Sequence, residues 1–163
     1  MLDQLKSLVK EYSADAIITN PAIPNERNDE AVDLASHSIV DSLKTMVSNG
    51  KIGDVQQFFN TGENEVNNSP VTQNIKGNLV ENLVQKFGLD QGKAGQIAST
   101  LIPLVLSKFV KKTNDPADSS FDLSGILGSL TGGGNIGDLL GKVGGNEKNT
   151  GGGLMDKVKG MFN

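Results

Sequence analysis

The only histidine of this chain, His37, lies between two carboxylates at helical spacing, with Asp33 four residues before it and Asp41 four after. Residues four apart share a helix face, so Asp-x3-His-x3-Asp offers oxygen and nitrogen donors to a divalent ion. One helix supplies an incomplete shell, because eight residues rise about 12 Å and ligands must converge on a point. The trio therefore reads as a solvated acidic face, and no metal is assigned. Nucleophilic catalysis has less to draw on. There is no cysteine, and the lone histidine has no serine or threonine at a recognisable spacing. Gly132-x-Gly134-x-x-Gly137 matches the spacing of a dinucleotide loop, but that loop works only between a strand and a helix of a parallel sheet. No parallel-sheet pattern is present, and a glycine-rich segment makes such matches by chance. Gly141-Lys142 is followed by Val143, so a phosphate loop would lack the hydroxyl that holds its metal. No catalytic residue and no cofactor is expected, and the chain reads as a non-enzyme.

The elements that would position these residues read as helices. Leu2, Leu5, Leu8, Val9 and Tyr12 share one face of a first helix. Asn20-Pro21-Ala22-Ile23-Pro24-Asn25 is a connector, since two prolines disfavour helix. Asn28 is the expected N-cap of a second helix, with Asp29 and Glu30 suiting its first turn. Val32, Ala35, Ile39, Leu43, Met46 and Val47 form its apolar stripe, and Asn49-Gly50 ends it with a left-handed cap. A short element follows, with Ile52, Val55, Phe58 and Phe59 inside. After the polar loop from Thr61 to Asn68, Ser69-Pro70 opens another helix. Its stripe is Ile75, Leu79, Leu83 and Phe87, widened by Val80 and Val84, and Gly88 closes it. Asp90 caps the last long helix, which reaches about Lys112. Ala94, Ile97, Ala98, Leu101, Val105 and Phe109 mark its buried side. Ile102, Leu104 and Leu106 make it apolar nearly all round, so it is expected to be central and the most buried element. Pro103 removes a backbone donor and is expected to kink it.

At Thr113 the composition changes. Thirteen of the 20 glycines lie from Gly125 onward. Ile126-Leu127-Gly128-Ser129-Leu130 resembles Leu139-Leu140-Gly141-Lys142-Val143 thirteen residues on, and Leu154-Met155-Asp156-Lys157-Val158 is a looser third copy. Each unit is too short and too rich in glycine to nucleate alone. Residues 114–163 are therefore expected to be a flexible tail carrying short amphipathic helices, mobile over 114–153, with 154–162 helical only when docked. An inert linker would not need the buriable side chains Leu127, Leu130, Leu139, Leu140, Met155 and Phe162. These six are the candidate partner-docking residues.

Charge and length bound the rest. The 163 residues suit one domain and a tail. Hydrophobic residues are 36% with no Trp, so the core must come mainly from aliphatic side chains. Net charge is −4, divided as −6 over residues 1–69, +4 over 70–112 and −2 over 113–163. The acidic total opposes broad nucleic-acid binding. The basic middle still permits a helix-turn-helix reading around Gly88-Leu89-Asp90, with Gln91, Lys93, Gln96 and Ser99 facing a groove. Against it, Arg27 is the chain's only arginine, and arginine is the commonest specific reader of guanine. The lysines fit one of two patterns: clustered on an exposed face for nucleic acid, or scattered around a buried helix for a scaffold. The opening MLDQLKSLVKEYS lacks the apolar run of a secretory signal, and no apolar run approaches the roughly 20 residues of a membrane span. The expected location is the cytoplasm. Weak contact of the C-terminal segment with a membrane surface is the furthest its two lysines extend.

Four stretches together resemble a known family. They are Gly53-Asp54-Val55-Gln56-Gln57-Phe58-Phe59, then Asn68-Ser69-Pro70-Val71, then Leu83 through Asp90, and Ala94 through Leu104 with its internal Pro103. This pattern, covering about 50–130, resembles the YidB-like family of small bacterial proteins of unknown function. The resemblance implies a compact multihelical fold with no family active site to carry over. The helix at 28–49 and the tripled glycine-rich tail read as additions to the family pattern. The combined reading is an all-α protein: a helical domain over 1–113 with a central kinked helix, followed by the tail at 114–163. Its expected function is a protein–protein interaction or scaffold module. The alternative is a nucleic-acid binder using residues 70–112.

Overall fold

In the structure, a computed structural model that describes residues 1–133, every regular element is helical among those residues. Helix α1 covers Leu2–Tyr12, and a π-turn at Ala14–Ile18 and a 3-10 turn at Asn25–Arg27 lead into α2, Asn28–Ser48. Helix α3 is Ile52–Asn60, and a 3-10 turn at Val66–Asn68 precedes α4, Pro70–Phe87. Helix α5 is Gln91–Thr113, and a 3-10 turn at Ser119–Phe121 precedes α6, Leu123–Leu130. α1 packs on α2, α2 on α4, α4 on α5, and α5 back on α1. This closes a ring of four helices around one aliphatic core, with α3 across one end and α6 against α2.

The helix ends follow local chemistry. Ser69 Oγ accepts from the Val71 amide at 3.2 Å, and Pro70 at the first helical position needs no acceptor. Gly88 closes α4 at φ 66, a conformation that only glycine adopts without strain. Two residues later Asp90 Oδ1 accepts from the Lys93 amide at 2.9 Å and starts α5. At the end of α2 the amide of Gly50 donates to the Val47 carbonyl at 3.0 Å and that of Lys51 to the Met46 carbonyl at 2.9 Å. This paired closure puts Gly50 at φ 79.

Four expectations are corrected. Asn28 does not cap α2. The 3-10 turn runs directly into the helix, so Asn28 already has helical angles and Arg27 takes the cap position. Leu104 is 41% exposed, because α5 keeps one open stripe through Lys93, Gln96, Thr100, Leu104 and Lys111. α5 is also not alone at the centre. It buries nine of its 23 residues, whereas α2 buries twelve of 21. Three of the twelve are serines, which a count of apolar residues overlooks. Finally, the body does not end at residue 113. Phe121, Ile126, Leu127 and Leu130 are at most 5% exposed and belong to the same core. The part of the expected mobile tail that falls on 114–133 is thus packed structure, held by contacts that short-range propensity does not register. The expectations for residues 134–163 lie outside the described residues.

Candidate functional site

The site with the most specific local construction is the seat of α6. Asp118 Oδ1 accepts from the Ser120 amide at 3.0 Å and shapes the turn before it. Asp122 Oδ2 accepts from the Gly125 amide at 2.9 Å and caps the helix. Gly133 donates to the Gly128 carbonyl at 2.9 Å and closes it. Phe121 anchors the approach. Its ring meets Phe109 edge-on at 5.4 Å, and Phe109 continues the stack through Phe59, at 5.2 Å, to Phe58. Lys112 lies over the Phe121 ring at 5.8 Å and reaches Asp118 Oδ2 at 3.3 Å. The Ser120 amide first, and then the Ser120 hydroxyl and Lys112, hold the Asp118 carboxyl below its ordinary range.

Within this seat Ile126, Leu127 and Leu130 point into the core. Two of the expected docking residues, Leu127 and Leu130, are thus already docked, on their own body. Leu139, Leu140, Met155 and Phe162 lie outside the described residues. Among the described residues, 123–130 make no side-chain hydrogen bond or ion pair to another element. Apolar burial alone holds α6 in place.

The other sequence candidates separate. His37 is exposed, and its Nδ1 lies 2.9 Å from the Asp33 carbonyl. A carbonyl only accepts, so Nδ1 carries the hydrogen and donates. The Asp33 carboxylate turns instead to Lys6 at 2.5 Å, and that bond raises the Lys6 pKa. Among the described residues no three His, Asp or Glu side chains gather to hold a metal. Gly132 closes α6 and follows no strand, and the other two glycines of that spacing, Gly134 and Gly137, lie outside the described residues.

The lysines of α5 do not form one free basic face. Lys93 pairs with Asp90 at 3.7 Å, Lys111 with Glu63 at 3.6 Å and Lys112 with Asp118 at 3.3 Å. Gln91, Lys93 and Gln96 lie on the first turns and Lys108, Lys111 and Lys112 on the last, separated by roughly 18 Å of helix rise. Among the described residues no helix is long and apolar enough to cross a membrane.

Two features escaped the sequence reading. A cleft of about 460 Å³ opens between α3, the loop after it and the start of α4, lined by Asp54, Gln57, Asn64, Glu65 and Asn68 over Phe58 and Val71. Its only signal is the polarity of the loop Thr61 to Asn68. The second is a polar seam between α2 and α4. Asn82 Nδ2 donates to Ser38 Oγ at 2.9 Å and to Asn78 Oδ1 at 2.9 Å, and Asn78 Nδ2 donates to Ser42 Oγ at 2.8 Å. The i, i+4 spacings of Ser38 with Ser42 and Asn78 with Asn82 could have shown it.

Residues 69–161 match a family described as bacterial protein of unknown function, DUF937. The match begins at the Ser69 cap of α4 and runs through the glycine-rich segment. The tail is therefore part of the family pattern rather than an addition, and residues 50–68 fall outside it. No curated protein and no solved structure matches the chain.

Proposed function

The chain belongs to the DUF937 family of bacterial proteins of unknown function, of which YidB is a member, and we propose that it is a non-enzymatic interaction module. In this reading the ring of helices is the scaffold and the glycine-linked apolar units are docking elements. The observation that carries it is α6. An eight-residue amphipathic unit sits on the body through the buried Ile126, Leu127 and Leu130 and the half-buried Leu123, with no side-chain polar tie, which is how a short helix occupies a groove. The bonded polar side chains of the body support the same reading, because they act locally as caps, seams and ion pairs.

Several finer features follow. The apolar units after α6 take part through contact of their side chains with a protein partner. Pro103 bends α5 at its middle, because the ring removes one hydrogen bond of the helix ladder. The protein works in the cytoplasm, and nucleic acid is not its ligand. The test is affinity capture from a bacterial lysate with the full chain and with the double variant Leu139→Asp/Leu140→Asp. A partner should be retained by the first and lost by the second, with the thermal melt unchanged. Identical partner sets would overturn the docking role.

A further inference from the structure

The sequence after α6 repeats α6 itself, position by position. Thirteen residues on, Asn135 stands for the capping Asp122, Ile136 for Leu123, Leu139 for Ile126, Leu140 for Leu127, Gly141 for Gly128 and Val143 for Leu130. Gly145 stands for Gly132, which closes α6.

The structure sorts these matches. Residues 126, 127 and 130 are buried, and 123 and 128 are half-buried. At all five the second unit keeps an apolar residue or keeps glycine. Within α6 the three changes of type, Ser124 to Gly137, Gly125 to Asp138 and Ser129 to Lys142, all fall on exposed positions, while the half-buried Thr131 just beyond it is matched by Gly144. Space is available there. A side chain begun at Gly125 would meet only Asp122 Oδ2, at the ordinary distance of 3.6 Å, and Gly125 and Ser129 border a cleft of about 170 Å³ beside Met1 and Gln4. Two of the changes also suit a helix, while Ser124 to Gly137 does not. Asp138 suits the first turn, Lys142 suits the last, and the two are four apart. Fit to the seat and fit to solvent are thus preserved separately, which a random glycine-rich stretch would not do.

We propose that residues 135–143 are a second edition of α6 that seats in the α6 site of another copy of this chain, displacing that copy's own α6 and joining the two. The proposal rests on the docking reading above and names its partner. Within one chain α6 holds the seat, because it follows the buried anchor Phe121 directly. The second unit is therefore left to engage a neighbour. Exchange is accessible because α6 is short, carries two glycines and has only apolar attachments. Swapping an equivalent element between copies is a low-cost route to assembly.

The chain has no cysteine, so introduced thiols report without background. Gln4 and Ser129 line one cleft and are both exposed. Full-length Gln4→Cys is mixed with full-length Lys142→Cys and treated with a short bismaleimide. The double variant Gln4→Cys/Ser129→Cys marks α6 in its seat. Docking should raise linked dimer about ten-fold or more over a Gln4→Cys and Lys148→Cys mixture, since a docked group meets its neighbour at millimolar effective concentration. Adding Leu139→Asp/Leu140→Asp to the Lys142→Cys chain should remove the excess. The proposal is overturned if Gln4→Cys/Ser129→Cys links within one chain while the Lys142→Cys mixture gives no more dimer than the Lys148→Cys mixture. It is equally overturned if the dimer ignores the aspartate substitutions. If the lysate partner is still captured through Leu139 and Leu140 while Lys142→Cys does not link, the docking reading stands and the second copy is not the partner.

Discussion

Helix α4 is held by two seams of opposite chemistry. Toward the core and α5 it presents Ile75, Leu79 and Leu83, each at most 1% exposed. Toward α2 it presents Asn78 and Asn82, which bond Ser42 and Ser38. The apolar seam supplies burial, which is strong and tolerant of direction. The polar seam supplies bonds that form in one register, because a slip would leave the partly buried amides and hydroxyls unpaired. The first seam makes the helices associate, and the second fixes how they align.

The largest break should come from the apolar side. Leu101 and Phe109 are fully buried in α5. Leu101→Ala or Phe109→Ala should cost about 2–5 kcal/mol, as large-to-small changes in closed cores do. Phe109 also carries edge contacts to Phe59 and Phe121, so its loss should loosen the approach to α6 as well. Chemical denaturation reads both effects, and an unchanged midpoint for either variant would contradict the burial.

A smaller and more specific loss is expected in the polar seam. Asn82→Ala removes two donated bonds and should cost about 1–2 kcal/mol, given the usual net worth of such bonds. Ser38→Ala leaves Asn82 its bond to Asn78, and the Leu34 carbonyl that Ser38 also bonds stays in the helix ladder, so this substitution should cost less. A double-mutant cycle between the two should show coupling of about 0.5 kcal/mol or more. Strict additivity would mean that the amide and the hydroxyl do not act on each other.

These two seams were unequally legible in the sequence. The apolar stripe of α4 could be read from its spacing of four, and its ends from Ser69-Pro70 and Gly88. The polar seam was signalled only by its i, i+4 spacings, because a periodicity count of apolar residues treats Ser38, Ser42, Asn78 and Asn82 as solvent-facing. α6 was misjudged for a related reason. Its glycines predict a poor isolated helix, which is correct, but a seat formed by distant elements supplies what the segment lacks. The capping signal, Asp122 three residues before Gly125, was present and went unread. Of the candidate site, the apolar character of Leu127 and Leu130 was legible in the sequence, and their burial in their own body was not.

A third tie sits at the end of the polar seam. Arg27 bonds both carboxylate oxygens of Glu30, at 2.8 and 2.9 Å, donates to the Lys86 carbonyl at 3.2 Å and stacks 4.0 Å above the Phe87 ring. It joins the start of α2 to the last turn of α4. Arg27→Lys keeps the charge but loses the planar fork. It should lower the melting temperature less than Asn82→Ala does, and should show itself first as faster amide exchange at Lys86, Phe87 and Gly88. Equal exchange there in both proteins would mean that the clamp leaves the helix end unaffected.

Acid gives the finest separation of the seams, because neither the aliphatic contacts nor the Ser–Asn ladder titrates. Three carboxyls do, each lowered by its surroundings. The Arg27 guanidinium holds Glu30 below its ordinary 4.5, the Lys93 amide and ammonium hold Asp90 below 3.8, and the Ser120 amide and hydroxyl with Lys112 hold Asp118 below 3.8. A group lowered by folding stabilises above its unfolded pKa, and that stabilisation is lost as pH falls through the lower folded value. The melting temperature should therefore be flat from pH 7 to about 5 and decline below about 4. Glu30 and Asp90 are exposed and Asp118 is half-buried, so solvent screens the contributions, the first two most, and the decline should be shallow. Glu30→Gln should reduce the decline slightly, while Asn82→Ala should lower the whole curve without changing its shape. If Asn82→Ala instead steepened the acid limb, the polar seam would be coupled to the charged clamp at its end, and the two could not be treated as separate ties.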